Sequence, residues 1–412
     1  MTYRLVRTLP LLISLVTARV DVDSAQAANC DSTSKGYTPL PQLAGTYHGY
    51  PGGLYPGGSN VAPPSHDSAG LALGLSFQPL DTLGQVDPNG YWVLLSVGMS
   101  NCTQEFSRFI QDLQGDTTLH PRLRIVDGAQ GGQTASIIKY DTAAFWRVIE
   151  TRLRSQGLGT RQVQAIWFKE ANAGPTGGFP SAAIQLRDDL RDDARTMRQK
   201  FPNLKQVFVS CRTYAGYATT ALNPEPYAYE SGFAVRWLIE SQIDGNDSLN
   251  FDSGSGAVNA AWMAWGPYLW TDGIIPRAGD SLQWLCADVV STDGTHPSTS
   301  GRAKVSQLLI QFFESSPYAI PWFLKPTVNP GCACPCHADA QCDSVRSDIL
   351  DLVKTIEVAF RGAPPVSDPN CPRERTDVDC SGATDVLDVV HVADVAFRAV
   401  SAQAAYCDPC GP

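Results

Sequence analysis

The sequence predicts an α/β protein, in which a doubly wound domain with a mostly parallel sheet precedes a small all-α module. Three observations predict it. From residue 91 onward, short apolar runs alternate with amphipathic stretches of helical spacing, the pattern of successive βα units. Near residue 326, Pro, Gly and Asn accumulate and cysteine density rises, marking a boundary. Beyond it the chain repeats itself at a shift of 37 residues, with Asp348–Arg361 matching Asp385–Arg398 at eight of fourteen positions.

The elements follow in chain order. Arg4 and Arg7, the apolar run Leu9–Val16 and the small residues Ala25-Gln26-Ala27 read as an export signal over residues 1–27. The competing reading is an ordinary disordered start. Residues 28–65, rich in Gly, Pro, Ser and Tyr, read as an irregular lead-in. Strands are predicted at Tyr91–Val97, Leu123–Val126, Ala165–Phe168 and Val207–Cys211. Helices are predicted at Thr103–Leu113, Thr142–Ser155, Ala183–Lys200, Ala228–Gln242 and Arg302–Phe313. The α/β domain is therefore expected to end near residue 325, with a linker over 326–336 and the small module over 337–412.

Charge and cysteines narrow the partners and the compartment. With 31 basic against 41 acidic residues the chain carries a net charge of −10, which repels nucleic acid. No later segment offers about 18 uninterrupted apolar residues, so no transmembrane helix is predicted. Twelve cysteines, eight of them from Cys332 to Cys410, fit disulfides in an oxidising compartment. Cys332, Cys334, Cys336 and His337 could instead form a metal cluster, although one nearby histidine is a poor donor set.

Candidate chemistry lies in loops at the carboxyl ends of the predicted strands, where doubly wound sheets carry their sites. Ser100 follows Gly98 at the end of the first strand, beside the start of a helix whose amides favour developing negative charge. Taken alone, such a serine is mostly a helix cap. A serine nucleophile needs a base whose tautomer is fixed. Of the six histidines, only His296 has an aspartate three residues before it within a loop, in Asp293-Gly294-Thr295-His296. Taken alone, that too is ordinary turn chemistry. Gly132, after the second strand, can bring an amide close to a substrate, and Asn172, after the third, can offer a carboxamide donor.

In this order the four blocks resemble the SGNH hydrolase superfamily, also called GDSL-type esterases, over roughly residues 90–315. The segment Asp293-Gly294-Thr295-His296-Pro297-Ser298 looks like the family's terminal Asp-x-x-His block, and Asp127–Gln133 is similar to the glycine block of its carbohydrate acetylesterases. The resemblance implies a flavodoxin-like three-layer α/β/α fold. It also implies Ser100 as nucleophile, His296 as base, Asp293 as its orienter, and an oxyanion hole made by the amides of Ser100 and Gly132 with Asn172. No metal or cofactor enters that chemistry. Met99, Glu170 and Ala173 depart from the family pattern, which leaves Lys169 and Glu170 as candidate substrate contacts. Trp262, Trp265 and Trp270 are candidate sugar platforms, with core packing as the competing reading.

In the tail, Asp377, Asp379, Ser381, the Ala383 carbonyl, Asp385 and Asp388 fall at positions 1, 3, 5, 7, 9 and 12 of a calcium loop, with Gly382 at 6. A weaker copy comprises Asp339, Gln341, Asp343, Asp348 and Asp351. Aspartate at position 12 and the paired loop–helix repeat resemble dockerin modules, which implies structural calcium and a cohesin-like partner or surface anchor. The competing reading is a disulfide-stapled helical pair without metal. Together the resemblances imply a secreted serine esterase acting on acylated carbohydrate. The alternatives are a lipase or general carboxylester hydrolase, or a non-catalytic carbohydrate- or protein-binding protein on the same scaffold.

Overall fold

A computed structural model describes residues 27–325, 334–343, 345–369, 371–398 and 400–410. The predicted export signal, except Ala27, and residues 326–333 of the predicted linker lie outside the described residues. A short hairpin of β1 (Thr46–Tyr47) and β2 (Tyr50–Pro51) precedes α1 (Pro64–Leu75), β3 (Trp92–Gly98), α2 (Ser100–Asp112) and β4 (Leu123–Asp127). Next come α3 (Ala135–Ile138), α4 (Ala144–Ser155), β5 (Val163–Lys169), α5 (Ser181–Lys200), β6 (Gln206–Val209) and α6 (Tyr227–Ile243). The main unit ends with β7 (Trp262–Trp265), α7 (Thr299–Ser315) and α8 (Ile320–Phe323).

The five strands β4-β3-β5-β6-β7 form one wholly parallel sheet flanked by helices, compatible with a three-layer α/β/α fold. Numbered along the chain the order is 2-1-3-4-5, so the winding direction reverses at β3, between β4 and β5. Every residue of β3 and β5 is buried. This is why both strands appear in the sequence as near-continuous apolar runs: a parallel sheet covered on both faces has no solvent side to alternate with. At the centre Trp167 stacks on Phe106 of α2, with ring centroids 5.6 Å apart.

Two parts of the architecture depart from the sequence expectation. The strand β7 was not predicted, because Trp-Met-Ala-Trp is too short an apolar run to show a period. It is an edge strand, yet wholly buried, because α1 covers it: a Cβ at Gly70 would stand 2.2 Å from the Trp262 ring. Residues 28–65 are irregular but built into the core, and α1 begins within them at Pro64. Leu40 is fully buried, and Cys30 forms a disulfide with Cys286.

The C-terminal part contains α9 (Ile349–Arg361), α10 (Val386–Phe397) and α11 (Ala402–Ala405). The helices α9 and α10 pack together, and Ala338, Val378 and Val392 form a small core. Cys334–Cys371, Cys336–Cys342 and Cys380–Cys407 are disulfides. Two cysteines of the possible metal cluster, Cys334 and Cys336, are thereby consumed, whereas Cys332 lies outside the described residues. Among the described residues no helix is long and apolar enough to cross a membrane.

Candidate active site

The carboxyl end of β3, at the reversal point of the sheet, carries Met99 and Ser100 into the first turn of α2. Gly98 is required there because a Cβ would stand 2.2 Å from the Lys169 carbonyl oxygen of the neighbouring strand. Behind the turn, Ser96 Oγ donates to Asp127 Oδ1 at 2.6 Å, and Thr103 Oγ1 donates to Asp127 Oδ2. Asp127 thus ties the end of β3 to the start of α2. Arg152 in turn donates to the carbonyls of Asp127 and Ala129, at 2.8 and 2.9 Å, holding the glycine segment that follows.

Ser100 and His296, 196 residues apart, meet with Oγ and Nε2 at 2.8 Å. His296 Nδ1 lies 2.8 Å from Asp293 Oδ2. The other carboxylate oxygen, Asp293 Oδ1, accepts the backbone amides of Thr295 at 2.8 Å and His296 at 3.0 Å. Burial draws this carboxyl's pKa upward, but the two amides and the imidazole together hold it below the usual carboxylate range. An ionised Asp293 accepts a proton-bearing Nδ1, which leaves Nε2 as the acceptor facing Ser100. The histidine loop is further tied to the serine helix by Asn101 Nδ2, which donates to the Thr295 carbonyl at 2.9 Å.

The glycine segment approaches from the β4 side. Gly131 passes beside the serine, where a Cβ would stand 3.7 Å from Ser100 Cβ. Gly132, the residue singled out in the sequence, is exposed and adopts a φ of +73°, with open space where a side chain would project. Asn172 follows β5, and its carboxamide has a defined orientation. Oδ1 accepts the Ser136 amide at 3.0 Å and Nδ2 donates to Asp189 Oδ2 at 2.7 Å. A flipped amide would face donor with donor and acceptor with acceptor. Asp189 itself is buried and paired with Lys139 at 2.7 Å.

Several candidate substrate contacts are corrected by their burial. Lys169 and Glu170 are each 2 % exposed and face inward. Lys169 Nζ pairs with Glu105 Oε1 and Oε2 at 2.6 and 2.5 Å, and Glu170 Oε1 accepts the Ala171 amide while burial pushes its carboxyl well above the usual range. Trp262, Trp265 and Trp270 are core residues. Their indole N–H groups are spent on the His66 and Leu54 carbonyls and on Glu225 Oε1, which leaves neither a free ring face nor a free donor for sugar.

A loop that sequence reasoning missed joins the two halves of the site. Following β6, it donates Thr219 N to the Asp293 carbonyl at 3.2 Å and Asn223 Nδ2 to the Asn172 carbonyl at 3.1 Å. Nothing in its composition signals this, since both contacts depend on where the sheet brings the loops. Beside Asn172 opens a cavity of about 290 Å³, whose walls include Lys139, Ala182, Asp189, Asn223 and Glu230.

In the tail, carboxylate oxygens of Asp377, Asp379 and Asp388 lie within 4.8 Å of one another. Asp388 accepts the amides of Val378, Asp379 and Asp385, and its pKa is raised to about 6, chiefly by burial. Asp377 Oδ1 is buried without a hydrogen-bond partner. Ser381 Oγ donates to the Ala383 carbonyl, and Asp385 caps α10 by accepting the Leu387 amide. Among the described residues, the first copy brings no such carboxylate group together. Its Asp348 and Asp351 cap α9, Asp351 Oδ1 accepts the Gln341 amide, and Asp339 Oδ1 accepts the Asp343 amide.

No family model matches the sequence, and no curated protein matches it. Several solved structures are similar. One described as a putative platelet activating factor from Streptococcus pneumonia is 10% identical, with 60% of this chain and 91% of that chain covered and a TM-score of 0.31. The periplasmic domain of a lipopolysaccharide acetyltransferase from Salmonella ser. Paratyphi A is 12% identical, covering 55% and 83%, with a TM-score of 0.29. An extracellular lipase from Streptomyces rimosus is 11% identical, covering 54% and 99%, with a TM-score of 0.28. At these scores the likenesses decide nothing about activity, which has to be read from the side chains.

Proposed function

We propose that the protein is a secreted serine esterase that cleaves carboxylic esters through an acyl-enzyme, with acylated carbohydrate as substrate. The observation that carries this reading is the Ser100–His296–Asp293 chain, with both links at 2.8 Å. Ser100 Oγ attacks the ester carbonyl as His296 Nε2 takes its proton, and Asp293 stabilises the imidazolium. The oxyanion is met by the amides of Ser100 and Gly132 and by the Asn172 Nδ2 hydrogen not engaged by Asp189. His296 then protonates the departing alcohol and activates the water that releases the acid. Export accords with the leader-like segment and the disulfides.

The C-terminal part is proposed to be a dockerin-like module that takes structural calcium in its second loop. Asp377, Asp379 and Asp388 supply hard oxygen donors, and the unpaired Asp377 Oδ1 is the atom a cation would satisfy. With 13 acids against 6 bases over residues 337–412, bound calcium would also offset a net charge of −7. A cohesin-like partner is supported by matched exposed apolar residues on the two repeats. Ile349, Leu350, Val353 and Phe360 of α9 correspond, at the 37-residue shift, to Val386, Leu387, Val390 and Phe397 of α10.

The test is hydrolysis of p-nitrophenyl acetate by the wild type and by Ser100→Ala and His296→Ala. Each variant is expected to lose at least about 10³-fold in kcat. Undiminished turnover in Ser100→Ala rules the mechanism out.

A further inference from the structure

The chain has nine tryptophans, and eight of them donate the indole N–H to a protein acceptor, Trp262, Trp265 and Trp270 included. The ninth, Trp237 of α6, is half-buried, and its N–H has no acceptor among the described residues and stays open to solvent. Tyr50 of β2 is half-buried beside it, with ring centroids 5.2 Å apart and planes at 54°. The Tyr50 hydroxyl is likewise unpaired among the described residues and open to solvent.

The pair is held in place from behind. Arg236 Nη1 donates to the carbonyls of Pro51 and Gly52, each at 2.5 Å, which fastens the hairpin to α6. Phe179 packs against both rings, with centroids 5.2 Å from Tyr50 and 5.8 Å from Trp237. None of the rings touching Trp237 or Tyr50 lies parallel to it, the smallest interplanar angle being 37°.

Both side chains line an open groove of about 680 Å³, to which α5 contributes Arg187 and α6 contributes Glu240 and Asp244. Ligand sites usually measure about 300–1,000 Å³. Donors and acceptors stand together here. Arg187 spends Nε and Nη2 on Asp188, which leaves Nη1, and Glu240 spends Oε1 on Arg236, which leaves Oε2. Asp244 is exposed. An anion would face Asp244 and Glu240, and a cation would face the Arg187 guanidinium. A lipid chain would leave all of these groups desolvated. A sugar ring meets both demands, because its C–H face packs on aromatic rings and its hydroxyls both donate and accept.

We infer that the groove between β2, α5 and α6 binds a neutral glycan chain without cleaving it, on a platform of Trp237 and Tyr50. None of Ser100, His296 and Asp293 lines it. It is a second contact with carbohydrate, and it goes beyond the esterase reading without depending on it.

The experiment titrates the full chain by calorimetry with hexasaccharides of glucose, xylose and mannose, and with the hexamers of galacturonic acid and glucosamine as anionic and cationic probes. The proteins are the wild type, Trp237→Ala, Trp237→Phe and Tyr50→Ala. Thermal unfolding and p-nitrophenyl acetate turnover accompany each, and turnover is expected to stay at the wild-type value. At least one neutral hexasaccharide is expected to bind. Trp237→Ala and Tyr50→Ala should each raise its Kd by about tenfold or more, and Trp237→Phe, which keeps a ring but loses the N–H, by less than Trp237→Ala. If Trp237→Ala fails to fold, Tyr50→Ala alone decides. No binding of any neutral hexasaccharide overturns the inference. So does tighter binding of either charged hexamer, or an unchanged Kd in the folded alanine variants. Glycan binding weakened in those variants, in a protein whose wild type does not hydrolyse p-nitrophenyl acetate, upholds the groove and removes the esterase reading alone.

Discussion

The Tyr217 carbonyl oxygen lies against Gly294 so closely that a Cβ on residue 294 would stand 1.9 Å from it. Gly294 also has a φ of +60°, which side-chain-bearing residues rarely adopt. The turn carrying Asp293 and His296 is thus seated on the loop that follows β6. Replacing Gly294 with alanine is expected to lift that turn and lower kcat by about 10²-fold, the usual effect of misplacing a catalytic group by about 1 Å. Steady-state kinetics checks this, with thermal unfolding to separate misplacement from loss of fold.

Asp293→Asn is expected to lower kcat by about 10²–10⁴-fold, because an amide stabilises the opposite imidazole tautomer. The same variant has a pH signature. A carboxylate held below its unfolded pKa contributes stability above that pKa and loses it as pH falls through the folded value. Wild type should therefore lose more stability than Asp293→Asn on acidification below about pH 4. Parallel melting profiles from pH 5 to pH 2.5 test it.

The Cys30–Cys286 disulfide spans 256 residues and fastens the segment whose Ala28 amide donates to the Ser291 carbonyl beside the histidine turn. Cys30→Ser is expected to cost about 2–4 kcal/mol, mainly by freeing the unfolded chain. Denaturant melts of the variant and of the oxidised wild type measure the difference.

Asp193 lies wholly buried in α5, both oxygens lacking partners, and burial raises its pKa well above the usual range. A raised carboxyl binds its proton more tightly when folded, so its contribution is full below the unfolded pKa and disappears as pH rises through the folded one. Asp193→Asn cannot ionise. Its stability advantage over wild type should grow from about pH 4 upward by at most about 1.4 kcal/mol per pH unit until the folded value is passed. Urea melts across pH 4–9 test the slope.

Calcium is expected to raise the melting temperature of the C-terminal part and leave that of the α/β part unchanged, and Asp377→Asn should abolish the rise. Calorimetry with and without chelator measures both transitions. Identical scans count against calcium here.

Much of the candidate site was legible because its residues sit at strand ends. Ser100, Asn172 and the glycine segment each follow an apolar run, and Asp293 marks His296 by a local turn. Lys169 and Glu170 were misread for a related reason. Charge in sequence suggests exposure, whereas here Lys169 is neutralised by Glu105, a partner 64 residues away. The tryptophans near residue 265 were equally ambiguous, since an aromatic cluster has the same composition whether its N–H groups end on water, sugar or a carbonyl.

By itself the sequence determined the α/β alternation, four of the five strands of the sheet and the residues able to supply a nucleophile, a base and its carboxylate, because each is set by local periodicity or by contacts within a few residues. Tertiary structure alone decided the 2-1-3-4-5 strand order, the burial of Lys169, Glu170 and the tryptophans, the seating of Gly294 on Tyr217, and the cavity walled by Asn223 and Glu230. Those depend on segments far apart in the chain, and whether a polar group is paired, stranded or solvated is settled only when its neighbours arrive.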